Sequence, residues 1–387
     1  MKNGEKTSFI PGFHELSISE KVKIIKEFAN LDKDDLNLIK KYQNLPDFID
    51  FENNIGPFKI ATNFLVNKKD YFVPMEIEEP SVVAAASKGA KLIREGGGFL
   101  GKYLGNLMIG QLQLIGVKNF KEAKEKILEN KNKVLKIANQ TNEFLLKIGG
   151  GAKDLKVRKV KKFLVLHFFV DPKDAMGANI VNTMLEKVAP VISKIIGAKT
   201  GVRIVSNFAE KRIVFVEGKV PIEKLTLGKF SGEKVAKGIL AAQELAKADV
   251  YRAVTHNKGV MNGIDAVALA TGNDFRAIEA AVHSFASKNG KYKPITKWKL
   301  EKNFLKGEIK IPLPIATVGG ATVTKKAKLA LKILGVKNAQ ELGVIAASVG
   351  LANNLAALLV LATEGIQKGH LRLHQEFLKK AIKDGKI

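Results

Sequence analysis

From Leu342 to Thr363 the chain reads LGVIAASVGLANNLAALLVLAT, 22 residues without a charge. A segment this long and apolar could cross a bilayer. Its content argues otherwise. Asn353 and Asn354 stand side by side near its centre, and two amides in hydrocarbon are costly unless protein groups pair with them. The segment is also rich in alanine and glycine, which suit close helix packing. It reads as a helix packed on all sides inside a soluble protein, with the amides satisfied at an internal or subunit interface.

The remaining composition agrees. A chain of 387 residues can hold two domains, and 46% hydrophobic with 26% charged residues is ordinary for a globular protein. There are no cysteines, so disulfides, thiolate metal sites and a cysteine nucleophile are excluded. The opening MKNGEKTSFIPGF has no apolar run of a secretory signal, which points to the cytoplasm. A net charge of +26 invites a nucleic-acid reading. The lysines, however, are mixed with glutamate in helical runs such as Lys121 to Lys136, and aromatic stacking platforms are scarce. A basic solvated surface, or attraction of a polyanionic small substrate such as a nucleotide-bearing thioester, fits better.

Periodicity places a helix after Ser19 and strands at Phe58 to Val66 and Tyr71 to Glu76. A helix follows from Ser81 to Glu95, between Pro80 and three glycines. From 106 to 206 strand and helix alternate: MIGQLQLIGV, one lysine-rich helix, LKVRKV with FLVLHFFV, a helix from Gly177, then VRIVSN. That is the pattern of a small α/β sandwich on an antiparallel sheet. Strands at Arg212 to Pro221 and Glu308 to Ala316 flank further helices, including Lys234 to Lys247.

Several motifs suggest chemistry. Gly96-Gly97-Gly98-Phe99-Leu100-Gly101 fits G-x-G-x-x-G formally, but it follows a helix, whereas the dinucleotide fingerprint follows a strand. Gly149-Gly150-Gly151 reads as a helix-ending loop. Asp174-Ala175-Met176-Gly177-Ala178-Asn179 does follow a strand and open a helix. It reads either as a phosphate cradle at a helix N-terminus or as an ordinary N-cap by Asp174. Glu78 and Glu79 precede a helix whose first turns are small and apolar, a setting for helix-dipole pairing or for a proton-donating carboxyl. His370 and His374 have i, i+4 spacing, yet no third ligand or H-E-x-x-H pattern accompanies them, so no metal is expected.

The block Thr255 to Arg276, THNKGVMNGIDAVALATGNDFR, sets Lys258 and Asp274 sixteen residues apart with only Asp265 between them among the charged residues. So few charges in so basic a chain suggest a lysine withdrawn from water beside a carboxylate, a device for stabilising an oxyanion.

EEPSVVAAAS, DAMGAN, THNKG with ATGND, and GIQKGH together resemble soluble, class II hydroxymethylglutaryl-CoA reductases, from Ile10 to His370. The resemblance implies an α+β fold: a large helical/β domain around a long central helix (1–105 and 207–365), an inserted small ferredoxin-like dinucleotide-binding domain (106–206), and a shortened C-terminal flap (366–387). It implies a homodimer with sites at the interface, without metal, nucleic acid or membrane as partner. It also implies two-step reduction of hydroxymethylglutaryl-CoA to mevalonate and CoA by NADPH or NADH. Glu79, Lys258, Asp274 and His370 would be catalytic. Ser81, Arg252, Asn262 and Asn353 would hold the substrate; Asp174, Met176, Gly177, Ala178, Asn179 and Asn207 would hold the cofactor. The chain departs from the pattern in three places. Asn353 stands where class II members carry glutamine, no aspartate near Thr141 to Glu143 dictates NAD, and seventeen residues follow His370. A CoA-ester binder with little turnover and an enzyme of mevalonate degradation are the alternative readings.

Overall fold

The structure, a computed structural model, describes residues 6–43 and 58–365. It opens with helices α1 (Ile18–Ala29) and α2 (Lys33–Gln43). Ser17 starts α1 through a reciprocal capping box with Glu20. Strands β1 (Lys59–Val66) and β2 (Lys69–Met75) form a hairpin turned by Asn67 and Lys68, both at positive φ. Helix α3 (Pro80–Arg94) begins with proline at its first position and gives way through Gly96 to Gly98 to β3 (Phe99–Tyr103). That glycine cluster therefore joins helix to strand, the reverse of the dinucleotide order.

The next segment builds its own sheet. In chain order come β4 (Met108–Ile115), α4 (Phe120–Glu129), α5 (Lys131–Asn139), α6 (Glu143–Lys147), β5 (Gly151–Val160), β6 (Phe163–Asp171), α7 (Ala178–Ile196) and β7 (Lys199–Ser206). The strands lie β5-β6-β4-β7, all antiparallel, over a separate core that includes Leu112, Leu166, Phe168 and Met184. The lysine-rich run expected as one helix is two. Asn130 leaves the helical path, and its side-chain amide donates to the Lys126 carbonyl at 2.9 Å, closing α4.

The chain then returns through β8 (Ile213–Pro221), α8 (Gly232–Ala248), α9 (Val250–Ala270), α10 (Phe275–Ala286), β9 (Thr296–Glu301), β10 (Phe304–Pro312), α11 (Lys325–Leu334) and α12 (Ala339–Leu361). The first sheet has the order β2-β1-β3-β8-β10-β9. Because β3 and β8 pair with each other, the four-stranded unit is inserted between neighbouring strands of the six-stranded one. The strand expected at 308–316 ends at Pro312. Residues 313–316 leave the sheet, with Leu313 N–H bonded to the Arg212 carbonyl at 3.0 Å.

The apolar segment is α12, buried on every side against α3, α8, α9 and the first sheet. Its small residues permit that. A Cβ on Gly89 of α3 would lie 2.1 Å from the Ala352 carbonyl oxygen, and one on Gly263 of α9 would lie 2.3 Å from Asn353 Oδ1. Both helices thus approach α12 more closely than any side chain would allow.

Candidate active site

Helices α3, α9 and α12 enclose a cavity of about 710 Å³ whose wall includes Glu79, Ser81, Arg252, Lys258, Asn262 and Asn353. Six residues singled out in the sequence therefore converge, although they come from three segments far apart in the chain. Each is placed by its helix. Glu79 is the N-cap of α3 and Ser81 lies in its first turn. Lys258 and Asn262 are one turn apart on α9, so they share a face. Arg252 is half-buried, and loss of hydration lowers its pKa, yet a guanidinium stays cationic at neutral pH. Cations and hydrogen-bonding groups thus look into a cavity otherwise walled by alanine, valine and leucine.

Part of this wall, at His256 and Asn354, belongs to a buried polar network. Asn354 Oδ1 accepts from Trp298 Nε1 at 2.8 Å and from Thr296 Oγ1 at 2.9 Å, while its Nδ2 lies 3.2 Å from His256 Nε2. Burial, with the Arg252 charge assisting, pulls the His256 imidazole down to about 4, so it is neutral at physiological pH. Asn353 is only half satisfied: Nδ2 donates to the Val82 carbonyl at 2.9 Å, and Oδ1 is buried without a partner among the described residues. His256 was not singled out in the sequence. It stands two positions before Lys258, on the core side of the helix, and only its place inside THNKG could have drawn attention.

Lys258 and Asp274 are not brought together within one chain. Lys258 is exposed, whereas Asp274 caps α10, accepting from Ala277 N–H at 3.3 Å and pairing with Arg276 Nε at 3.0 Å. The expectation of a withdrawn lysine is corrected here. Charges are sparse in this block because most of α9 packs against the core and part of its outer side is apolar, not because Lys258 is withdrawn. Asp265 is the group that burial perturbs. Desolvation, and then the neighbouring Glu279, raise its carboxyl well above the usual range, so the proton of the pair rests on Asp265.

The second group of residues forms the β6–α7 turn. Gly177 is the N-cap of α7 at φ 106°, and no side chain caps that end. Asp174 is therefore not its N-cap. Its Oδ1 accepts from Ala339 N–H at 2.9 Å and so caps α12, and its carbonyl accepts from Thr317 N–H at 2.9 Å. Met176 and Ala178 are half-buried, Asn179 is exposed at the turn, and Asn207 is exposed just after β7. This turn lies at the N-terminal end of α12, about 21 Å by helix rise from Asn353. His370 lies outside the described residues, as does His374. Among the described residues no group of three or more His, Asp or Glu could hold a metal ion.

Known proteins resemble this chain over most of its length. The model of the hydroxymethylglutaryl-coenzyme A reductase family matches residues 17–375. A 3-hydroxy-3-methylglutaryl-coenzyme A reductase of Archaeoglobus fulgidus is 49% identical over 381 residues, covering 95% of this chain and 86% of the relative. A probable reductase of Borreliella burgdorferi is 37% identical, covering 94% and 84%. The solved class II reductase of Streptococcus pneumoniae bound to NADPH superposes with a TM-score of 0.84 at 40% identity, over 91% of this chain and 99% of that one. With this cavity, this inserted sheet and these relatives, the chain belongs to the hydroxymethylglutaryl-coenzyme A reductase family of NAD(P)H-dependent oxidoreductases.

Proposed function

We propose that the α3–α9–α12 cavity carries the two-step interconversion of (S)-3-hydroxy-3-methylglutaryl-CoA with (R)-mevalonate and CoA, and that a second copy of the chain completes it. The supporting observation is the convergence of Glu79, Ser81, Arg252, Lys258 and Asn262 on one cavity. When bound, NAD(P)H supplies two hydrides in succession, each to the former thioester carbon. Lys258 stabilises the oxygen of that carbon as negative charge develops, first toward the hemithioacetal and then toward the alcohol. Glu79 supplies a proton to it. His370 protonates the sulfur that leaves as CoA, so each thioester consumes two NAD(P)H and two protons. Arg252 holds the substrate carboxylate, where a planar guanidinium suits two oxygens, with Ser81, Asn262 and Asn353 fixing the rest of the acyl group.

A complete site needs Asp274 near Lys258 and the cofactor near the cavity. One chain holds each of these pairs apart, which favours a homodimer that joins them across its interface. An apolar stripe supports this: Tyr251 is 83% exposed, and Val254, Leu269 and Phe275 are exposed along the same outer side of α9 and the start of α10. In this reading 1–105 with 207–365 bind the CoA ester, and 106–206 with Asp174, Met176, Gly177, Ala178, Asn179 and Asn207 bind the dinucleotide. Glycine is required at Gly177, since its φ of 106° and a Cβ that would meet Pro172 at 2.9 Å both exclude a side chain there. We place the enzyme in the cytoplasm, in keeping with a long apolar helix that is mostly buried inside the protein.

The deciding experiment is side-by-side consumption of NADH and NADPH on adding hydroxymethylglutaryl-CoA. Turnover is expected with one or both. Its absence with both, alongside tight CoA-ester binding, would leave a binder rather than an enzyme.

A further inference from the structure

The β6–α7 turn is held from behind by one side chain that no motif singles out. Arg212, just before β8, is 0% exposed. Its Nη1 donates to the carbonyls of Ala175 at 3.0 Å and Met176 at 2.8 Å. Its Nη2 donates to the Ile315 carbonyl at 2.7 Å and lies 3.5 Å from that of Lys173. Among the described residues no carboxylate forms an ion pair with it. Beside it stands Tyr103, whose hydroxyl donates to the Leu313 carbonyl at 2.7 Å. Tyr103 and the charges of Asp171 and Asp174 nearby offset part of the cost. Burying a guanidinium mainly on backbone carbonyls, with no ion pair, is still expensive, so this arrangement asks for a reason beyond packing.

Peptide geometry supplies one. In a trans peptide unit the carbonyl and the following N–H point in opposite directions. The N–H of Met176 is taken into the parallel bridge between Ala175 and Val318, whereas drawing the Met176 carbonyl inward turns the N–H of Gly177 outward. Those of Ala178 and Asn179 follow it in the open first turn of α7, and no hydrogen bond among the described residues takes up any of these three. Successive outward amides at a helix N-terminus form an anion cradle, and the buried cation behind it adds to its field.

We infer that Arg212 is a positioning residue of the dinucleotide site: by fixing the carbonyls of residues 175 and 176 it presents the amides of 177–179 to the pyrophosphate of the cofactor. This rests on the dinucleotide reading of the turn given above. It explains why Arg212, Asp174 and the 313–316 segment interlock. Without the fork the turn can rotate its peptide planes, and binding must then order it.

The test is calorimetric titration of the full-length enzyme with NADPH and with ADP-ribose, which keeps the pyrophosphate and lacks the nicotinamide. Arg212→Met should weaken both ligands by the same factor, about tenfold or more, since ordering even one residue is worth about that. The KM for hydroxymethylglutaryl-CoA should stay within about twofold, a split that general unfolding would not give. Arg212→Lys should recover part of the loss, because an ammonium keeps the charge and loses the planar fork. Unchanged affinity for both ligands in Arg212→Met refutes the role. So does weakened NADPH with unchanged ADP-ribose, since the group held would then not be the pyrophosphate. If Arg212→Met does not fold, Arg212→Lys decides alone, and wild-type affinity in it overturns the inference. A wild-type enzyme that turns over while binding no ADP-ribose also overturns it. Failure of the wild type to bind NADPH and ADP-ribose alike would instead remove the dinucleotide reading beneath it.

Discussion

If Lys258 and Asp274 act in one site, they must come from different chains, and mixed dimers can show it. Lys258 stands twelve residues before the end of α9, about 18 Å along the axis, and Asp274 lies beyond that end. A lysine side chain cannot cover that distance. A two-fold axis beside α9 would run two copies antiparallel and place each Lys258 against the partner's Asp274. Take one chain with Lys258→Ala and another with Asp274→Asn, which removes the charge and keeps a good N-cap for α10. Each homodimer should lose on the order of 10²–10³ in kcat. In the heterodimer one site carries both lesions and the other neither. Co-expression with two different tags and tandem purification should therefore give about half of wild-type kcat, and an unsorted random mixture about a quarter. A pure heterodimer no more active than the homodimers would refute the shared site.

Three further outcomes follow from the geometry. Gly263→Ala puts a Cβ 2.3 Å from Asn353 Oδ1 and 2.8 Å from Val349 Cγ1, so urea unfolding should show a loss of about 1–3 kcal/mol and the thioester KM should rise; wild-type stability would contradict the packing account. Asp265 keeps its proton in the folded state at pH values where the unfolded carboxyl has lost it, so its burial costs stability as pH rises from the ordinary carboxylate range toward its raised value. Asp265→Asn should therefore raise the melting temperature more at pH 8 than at pH 5, and an equal effect at both would oppose this assignment. His370→Gln should slow reduction of the thioester and spare reduction of free mevaldehyde, where no thiolate leaves; equal loss in both half-reactions would count against its role.

The parts of the fold visible in the sequence were those with a local cause. Pro80 and the glycines after Arg94 bracket α3, the alternating 106–206 stretch gives the second sheet, and a charge-free run gives α12. What escaped depends on partners distant in the chain. Strand β9 is short and half charged, TKWKLE, and is defined by its pairing with β10. The lysine-rich helix broke at Asn130 through a side-chain bond that composition does not reveal. The site divides in the same way. Glu79, Ser81, Arg252, Lys258, Asn262 and Asn353 were found through motifs and do share one cavity. Arg212 was read only as the start of a strand, because its four carbonyl neighbours belong to segments roughly 40 and 100 residues away.

The two asparagines that ruled out a membrane span also show how α12 serves both core and site. Asn354 borders the cavity and is held by Trp298, Thr296 and His256, so its burial is offset by hydrogen bonds within the protein. Asn353 gives one hydrogen bond to α3 and keeps a bare buried oxygen against Gly263 at the cavity wall. An unsatisfied buried acceptor costs about 1–3 kcal/mol, a cost that a ligand donor reaching it would recover on binding. The same helix is capped at its other end by Asp174 of the β6–α7 turn. One largely buried element thus fixes the cavity and the turn relative to each other, and no loop has to set that distance.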